Sequence, residues 1–225
     1  MSVSATVPPG FTSVLKVFDD ALSRADDGRP VRLTIENDYG FEHPVDARSW
    51  CRRHLPGDRG LLGRCAGATL DVGCGPGRLT SALNRLGHPA LGIDISATAV
   101  RLARTRGAIA LRRDVFAALP GHGRWRHLLL ADGNIGIGGD PARLLRRCRE
   151  LVGRHGQIHA ELARPGTRSW AGEARLRDSD GHPSAPFRWA VLAAGDLAAV
   201  ADAGALRILD TWTEADRWFA TLTPR

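Results

Sequence analysis

Residues 70–80 read Leu-Asp-Val-Gly-Cys-Gly-Pro-Gly-Arg-Leu-Thr, and few folds accommodate that order. An apolar run with Leu70 and Val72 enters the stretch. Glycines alternate through it at Gly73, Gly75 and Gly77, and Leu79, Leu83 and Leu86 leave it at helical spacing. The pattern predicts a strand, a tight glycine turn and a helix N-terminus. Glycine permits the turn and lets the backbone come close to a ligand. The first turn of the helix then offers unpaired N–H groups to a carboxylate or another anionic group.

Three later segments repeat the theme of an apolar run ending in an acid. Leu91-Gly92-Ile93-Asp94-Ile95-Ser96 lies about 20 residues past the glycine turn, the spacing at which an acid at the end of a second strand accepts ribose hydroxyls. Asp94 also suits a helix cap, because Asp and Ser are favoured just before a helix starting near Ser96. Leu111-Arg112-Arg113-Asp114-Val115-Phe116 reads as a third strand ending. Residues 128–131 form a continuous apolar run, as in a central parallel strand buried on both faces, and lead into Asp132, Gly133 and Asn134. In doubly wound sheets ligands bind at the carboxyl ends of strands, so these three residues should face the reacting centre. The glycines at 136, 138 and 139 either admit an acceptor closely or simply let the chain turn before Pro141.

A nicotinamide dinucleotide loop is a poor match. It wants a third glycine where this chain has Arg78, and a pyrophosphate sits badly beside the acidic Asp71. The D-V-G-C-G-P-G-R form instead resembles motif I of the class I S-adenosylmethionine-dependent methyltransferases, and the similarity extends over about residues 66–165. The resemblance implies an α/β fold, with a doubly wound, mostly parallel seven-stranded sheet, helices on both faces and an antiparallel C-terminal hairpin. It implies S-adenosylmethionine as cofactor and S-adenosylhomocysteine as product. Asp71, Gly73, Cys74, Gly75 and Gly77 would form the loop carrying the methionine part. Asp94 and Ile95 would meet the ribose, Asp114 and Val115 the adenine, and Asp132 the reacting end. Residues 157–162 read as a fifth strand and residues 195–203 as a short helix. Residues 206–212 and 217–222 read as the closing hairpin, and residues 187–192 as an additional edge strand over the acceptor site. Asp132-Gly133-Asn134-Ile135 departs from the N/D-P-P-Y/F motif of amino methyltransferases acting on adenine or glutamine. Asp132 and Glu161 imitate the acids of catechol-type metal sites, but the adjacent Asp-Asn pair after the fifth strand is missing, so no metal is expected.

The remaining features narrow the partners. The chain has 225 residues, enough for one full core. It contains no apolar run of roughly 20 residues that would span a membrane. Residues 1–10 lack the basic-then-apolar pattern of a secretory signal, which points to the cytoplasm. The four cysteines at 51, 65, 74 and 148 show no metal-ligand spacing and read as reduced buried thiols. A net charge of +7 raises nucleic acid as a partner. However, Lys16 is the sole lysine, and the arginines are dispersed. The densest group, Arg143, Arg146, Arg147, Arg149 and Arg154, reads as the solvated face of a helix that buries Leu144, Leu145, Cys148 and Leu151. Nucleic acid is therefore an unfavoured partner and the oligomeric state is open.

Residues 1–65 read as an N-terminal helical lid over a methyltransferase domain at 66–225. Helices are predicted over residues 14–22, 46–54 and 58–65, with a turn-rich stretch over residues 37–44. Such a lid excludes water and holds an acceptor against the methyl group. Tyr39 and Asn134 are candidate substrate contacts, and Trp50 is a lid or packing residue. Asp132 and His43 are the candidate general bases, needed only where the acceptor must lose a proton early. Residues 164–186 are rich in Gly, Ser, Asp and Pro and read as a long loop near the acceptor. The favoured function is methylation of a small metabolite or natural product. RNA or protein methylation and a non-catalytic cofactor-binding protein are the alternatives.

Overall fold

The computed structural model describes residues 11–225; the expectation about a secretory signal over residues 1–10 lies outside them. In chain order the elements are α1 (Val14–Asp26), β1 (Leu33–Asn37), β2 (Glu42–Val45), α2 (Ala47–Cys51), α3 (Asp58–Arg64), β3 (Thr69–Val72), α4 (Arg78–Arg85), β4 (Ala90–Asp94) and α5 (Ala97–Thr105). They continue with β5 (Ala110–Arg112), β6 (Trp125–Leu130), α6 (Pro141–Leu151), β7 (Val152–Leu162), β8 (Trp170–Arg177), β9 (Phe187–Val191), α7 (Leu197–Ala203), β10 (Leu206–Glu214) and β11 (Arg217–Pro224).

Seven strands form the main sheet in the order β10-β11-β7-β6-β3-β4-β5. β3 to β7 run parallel. β11 runs antiparallel between β7 and β10 and closes the sheet as expected. The apolar run in β6 is continuous because both of its faces are covered. Leu128 and Leu130 pack with Leu144, Leu145, Cys148 and Leu151 of α6. Leu129 points the other way, to Leu61 of α3, Leu79 and Leu83 of α4, and Phe219. Asp140 caps α6 by accepting from the Arg143 N–H at 2.9 Å, and Pro141 occupies the first turn, where its missing donor costs nothing.

The arginines of α6 lie on its solvated face, where Arg143, Arg146 and Arg149 are exposed, and three of them also make contacts. Arg147 donates to the carbonyls of Val115 and Ala117 at 2.9 and 2.7 Å, Arg146 donates to the Ala203 carbonyl, and Arg143 lies 4.1 Å over the Phe116 ring. They fasten the segment after β5, and the end of α7, to the helix.

A second, antiparallel sheet has the order β2-β1-β8-β9. It corrects two expectations. The stretch over residues 164–186 is not one long loop, because it contains β8, which pairs with β1 and β9. Residues 187–192 do supply an edge strand, but to this small sheet and not to the main one. The turn-rich stretch at 37–44 is the β1–β2 hairpin, in which Asn37 Oδ1 accepts from the N–H groups of Tyr39 and Phe41 at 3.0 Å each. The first segment therefore carries three helices and a hairpin, and β1 of that hairpin pairs with β8 from beyond β7.

α1 buries Val17, Ala21 and Ala25 against Leu33 and Leu176 of the small sheet, while its Leu22 reaches Ala99 and Leu102 of α5. β9 lies directly on the glycine-rich turn after β6. A Cβ at Gly136 would overlap the Ala190 carbonyl oxygen, and one at Gly139 would stand 3.0 Å from the Arg188 Cβ. Those glycines serve the contact between the two sheets. Gly136→Ala should therefore lower stability by about 1–3 kcal/mol in urea denaturation. Gly172→Ala in β8, where a Cβ meets nothing within 4 Å, should be near neutral.

Candidate functional site

The carboxyl ends of β3, β4 and β6 meet at the glycine turn. Gly73 and Cys74 donate to the Ile93 carbonyl at 2.9 and 3.0 Å, which ties the turn to β4. Gly77 precedes α4 with φ of 80°, and a Cβ there would come within 2.8 Å of the Ala103 Cβ. Glycine is thus required by both conformation and packing. Cys74 is buried among Val100, Ala103 and Ala110 and presents backbone, not thiol, to the site. Gly75 has φ of 52°, and a Cβ on it would meet nothing within 4 Å; the same holds at Gly133, where φ is 81°. Two stretches of main chain are left uncovered beside each other's strand ends, which fits a ligand that approaches backbone.

Asp94 closes this opening. One carboxylate oxygen accepts from the Gly75 N–H at 3.0 Å and the other from the Ser96 N–H at 2.8 Å. Burial raises its pKa, opposed by these hydrogen bonds. The capping role is real, but Ser96 performs most of it: its hydroxyl oxygen accepts from Ala99 N–H at 2.9 Å and donates to Asp19 of α1. Ile95 stands exposed beside Asp94. Asp114 Oδ1 accepts from the Phe116 N–H at 2.9 Å, holding the turn that carries the buried Val115.

Asp71 does not reach the opening. It is buried beneath the turn and accepts from the Thr80 hydroxyl at 2.6 Å, joining β3 to α4. Burial, only partly offset by that bond and by the charge of Arg78, pushes its pKa up to about 6. Asn134 also acts on the turn: its amide donates to the carbonyls of Val72 and Gly73, both at 2.9 Å. Its amide group is committed to main chain.

Asp132, a candidate base, stands at the end of β6 with its carboxylate held by arginines. Its backbone is left-handed, with φ of 53°, a region that Asp tolerates better than most residues. Arg78 Nη2 donates to both carboxylate oxygens at 2.7 and 2.5 Å, and Arg217 Nη2 approaches at 3.2 Å. Arg217 also holds Glu161 through Nε at 2.8 Å and Nη2 at 2.7 Å, and it meets Asp58 at 3.0 Å; Asp58 pairs with Arg78. Burial works to raise the Asp58 pKa, but Arg78 and Arg217 outweigh it and leave the carboxyl below its ordinary value. Two guanidiniums thus neutralise most of three carboxylates, and the Asp132–Glu161 pair is occupied by arginine. Asp58, Arg217 and the partnership of Arg78 were missed in the sequence, where nothing links positions so far apart.

His43 and Tyr39 lie on the β1–β2 hairpin, away from this network. Both are exposed, and Arg168 stands 5.9 Å from the Tyr39 ring. Trp50 packs against Phe18 of α1, with ring centroids 5.3 Å apart, which settles it as a packing residue.

The family model described as a methyltransferase domain matches residues 69–156, the segment that builds this site. Solved structures extend the fold to the whole chain. A SAM-dependent methyltransferase from Bacteroides fragilis, in complex with S-adenosyl-L-homocysteine, is 22% identical with a TM-score of 0.76, over 96% of this chain and 98% of that one. The CcbJ methyltransferase from Streptomyces caelestis is 14% identical with a TM-score of 0.64, over 92% and 98%. The 1,6-didemethyltoxoflavin-N1-methyltransferase from Burkholderia thailandensis is 16% identical with a TM-score of 0.58, over 100% and 99%. No curated protein matches the sequence.

The raised pKa of Asp71 has a measurable consequence. Between about pH 4 and pH 6 the folded form keeps a proton on Asp71 that the unfolded chain releases, so this group's contribution to stability falls as pH rises. Asp71→Asn keeps an acceptor for Thr80 and removes the titration. The variant should gain about 1–3 kcal/mol on the wild type between those two pH values and no more above them, as measured by denaturation across the range. A constant difference would place the Asp71 pKa near its ordinary value.

Proposed function

We propose that this protein is an S-adenosylmethionine-dependent methyltransferase acting on a small metabolite or natural product, with S-adenosylhomocysteine released. The observation that carries the reading is the uncovered main chain at Gly75 and Gly133, with Asp94 bonded to the Gly75 N–H, at strand ends within a matched methyltransferase domain. In this reading the main chain of residues 73–77 receives the methionine part. Asp94 exchanges its backbone bonds for ribose hydroxyls, beside Ile95, and Asp114 and Val115 border the adenine. S-adenosylmethionine supplies an electrophilic methyl group, which passes to the acceptor by in-line displacement.

The chain's own contribution is alignment and exclusion of water. Burial raises the Asp132 pKa against the pull of Arg78 and Arg217, but both guanidiniums occupy its oxygens, and we assign it to positioning at the reacting end. Asp71 and Asn134 support the loop from beneath. If an acceptor needs a base, His43 is the candidate left on the hairpin, with Tyr39 beside it as a substrate contact. In the Burkholderia relative 1,6-didemethyltoxoflavin is bound, and another similar structure is a glycopeptide N-methyltransferase with a TM-score of 0.56. Four free cysteines suit a reducing cytoplasmic setting, and no described helix is long and apolar enough to cross a membrane.

The test uses S-adenosylmethionine labelled on the methyl group and an extract of the source cells, separated into small-molecule, protein and nucleic-acid fractions. Label should enter the small-molecule fraction. Label in nucleic acid or protein would overturn the acceptor class, and tight S-adenosylhomocysteine binding with no transfer to any fraction would favour a non-catalytic binder.

A further inference from the structure

Three buried side chains converge on the α3–α4 face of the main sheet, and methyl transfer uses none of them. Cys65 ends α3, His127 lies on β6 and His159 on the neighbouring β7. Their exposures are 0%, 5% and 0%. One ligand atom from each lies within 4.8 Å of the others. His127 Nδ1 and His159 Nε2 are 3.1 Å apart, close to the roughly 3.3 Å between two nitrogen ligands on a tetrahedral zinc ion.

The surroundings agree with a metal centre. His159 Nδ1 lies 3.0 Å from the Thr221 hydroxyl, the kind of outer partner that orients a ligating imidazole. His127 Nε2 is buried with no hydrogen-bond partner. A cavity of about 400 Å³ lies beside the end of α3, lined by Leu62, Ala66 and His88 among others; the three side chains themselves are buried behind it.

We propose that Cys65, His127 and His159 bind a zinc-class divalent ion, leaving one tetrahedral position for water. One thiolate and two imidazoles are a ligand set for zinc, whereas hard cations take oxygen. The ion would join the end of α3 to β6 and β7 and so clamp the N-terminal segment to the sheet. The site is separate from the glycine turn, and its existence does not depend on the methyl-transfer reading.

The test is a titration of tag-free, chelator-treated protein with Zn²⁺ and with Co²⁺ as a spectroscopic probe. Wild type should retain one ion per chain after dialysis, show a thiolate-to-cobalt charge-transfer band and gain in Tm on zinc addition. Cys65→Ser should lose the band and the Tm gain, and His127→Gln should weaken both. His127→Gln supplies the comparison if Cys65→Ser does not fold. Wild type with no retained ion, no band and an unchanged Tm would overturn the proposal and leave a neutral His–His hydrogen bond in the core. A band unaffected by both variants would overturn it as well.

Discussion

The arrangement of strand ends depends on a buried ion network of Arg78, Arg217, Asp58, Asp132 and Glu161. It joins α3, α4, β6, β7 and β11 at one point beside the glycine turn. The Arg78 side chain is 4% exposed and that of Asp58 is 1%. Charges so deeply buried cost much desolvation, and pairing returns roughly that cost, so the network adds little net stability. Its contribution is geometric. Losing either guanidinium leaves buried carboxylates uncompensated, at about 3–5 kcal/mol. The strand ends are therefore held in one relative position, and that position sets the opening between Gly75, Gly133 and Asp94.

The network also explains why Arg78 occupies the place where a dinucleotide loop has glycine. A third glycine there lets a helix approach its strand closely. In this chain Gly77 provides the close approach, against Ala103, and Arg78 turns its guanidinium into the network. The turn is then braced on several sides: Asn134 holds the Val72 and Gly73 carbonyls, Ile93 receives two of its N–H groups, and Asp71 ties β3 to Thr80 from below. Such bracing keeps backbone donors aimed at a ligand without reorganisation when it binds.

Much of this was legible in the sequence, for a physical reason. Strands β3, β4 and β6 are short apolar runs bounded by glycines and acids, because parallel strands buried on both faces tolerate little else. The closing hairpin was equally plain. The small sheet was not: β1 pairs with β8, so that Glu36 stands opposite Arg175, and a contact between segments so distant leaves no local pattern. β8 does alternate, with Ala174 and Leu176 buried between Glu173, Arg175 and Arg177, but the Gly, Ser, Asp and Pro of residues 164–186 read as loop. Asp132 was found by its place at a strand end, but its occupation by Arg78 and Arg217 was hidden, since Arg217 comes from the last strand. Cys65, His127 and His159 show the same limit. They lie on three separate elements, so they have no ligand spacing to read.

The central claim is that the opening at Asp94 receives S-adenosylmethionine and its product. Calorimetric titration of the purified protein with S-adenosylhomocysteine tests it most directly, with Asp94→Ala as the comparison. The account predicts one site per chain in the wild type. It also predicts a loss of about 2–3 kcal/mol, or roughly 30- to 150-fold in affinity, in the variant, since hydrogen bonds to a charged group are removed. Folded wild-type protein that does not bind S-adenosylhomocysteine, or an Asp94→Ala variant that binds it equally well, would contradict the account.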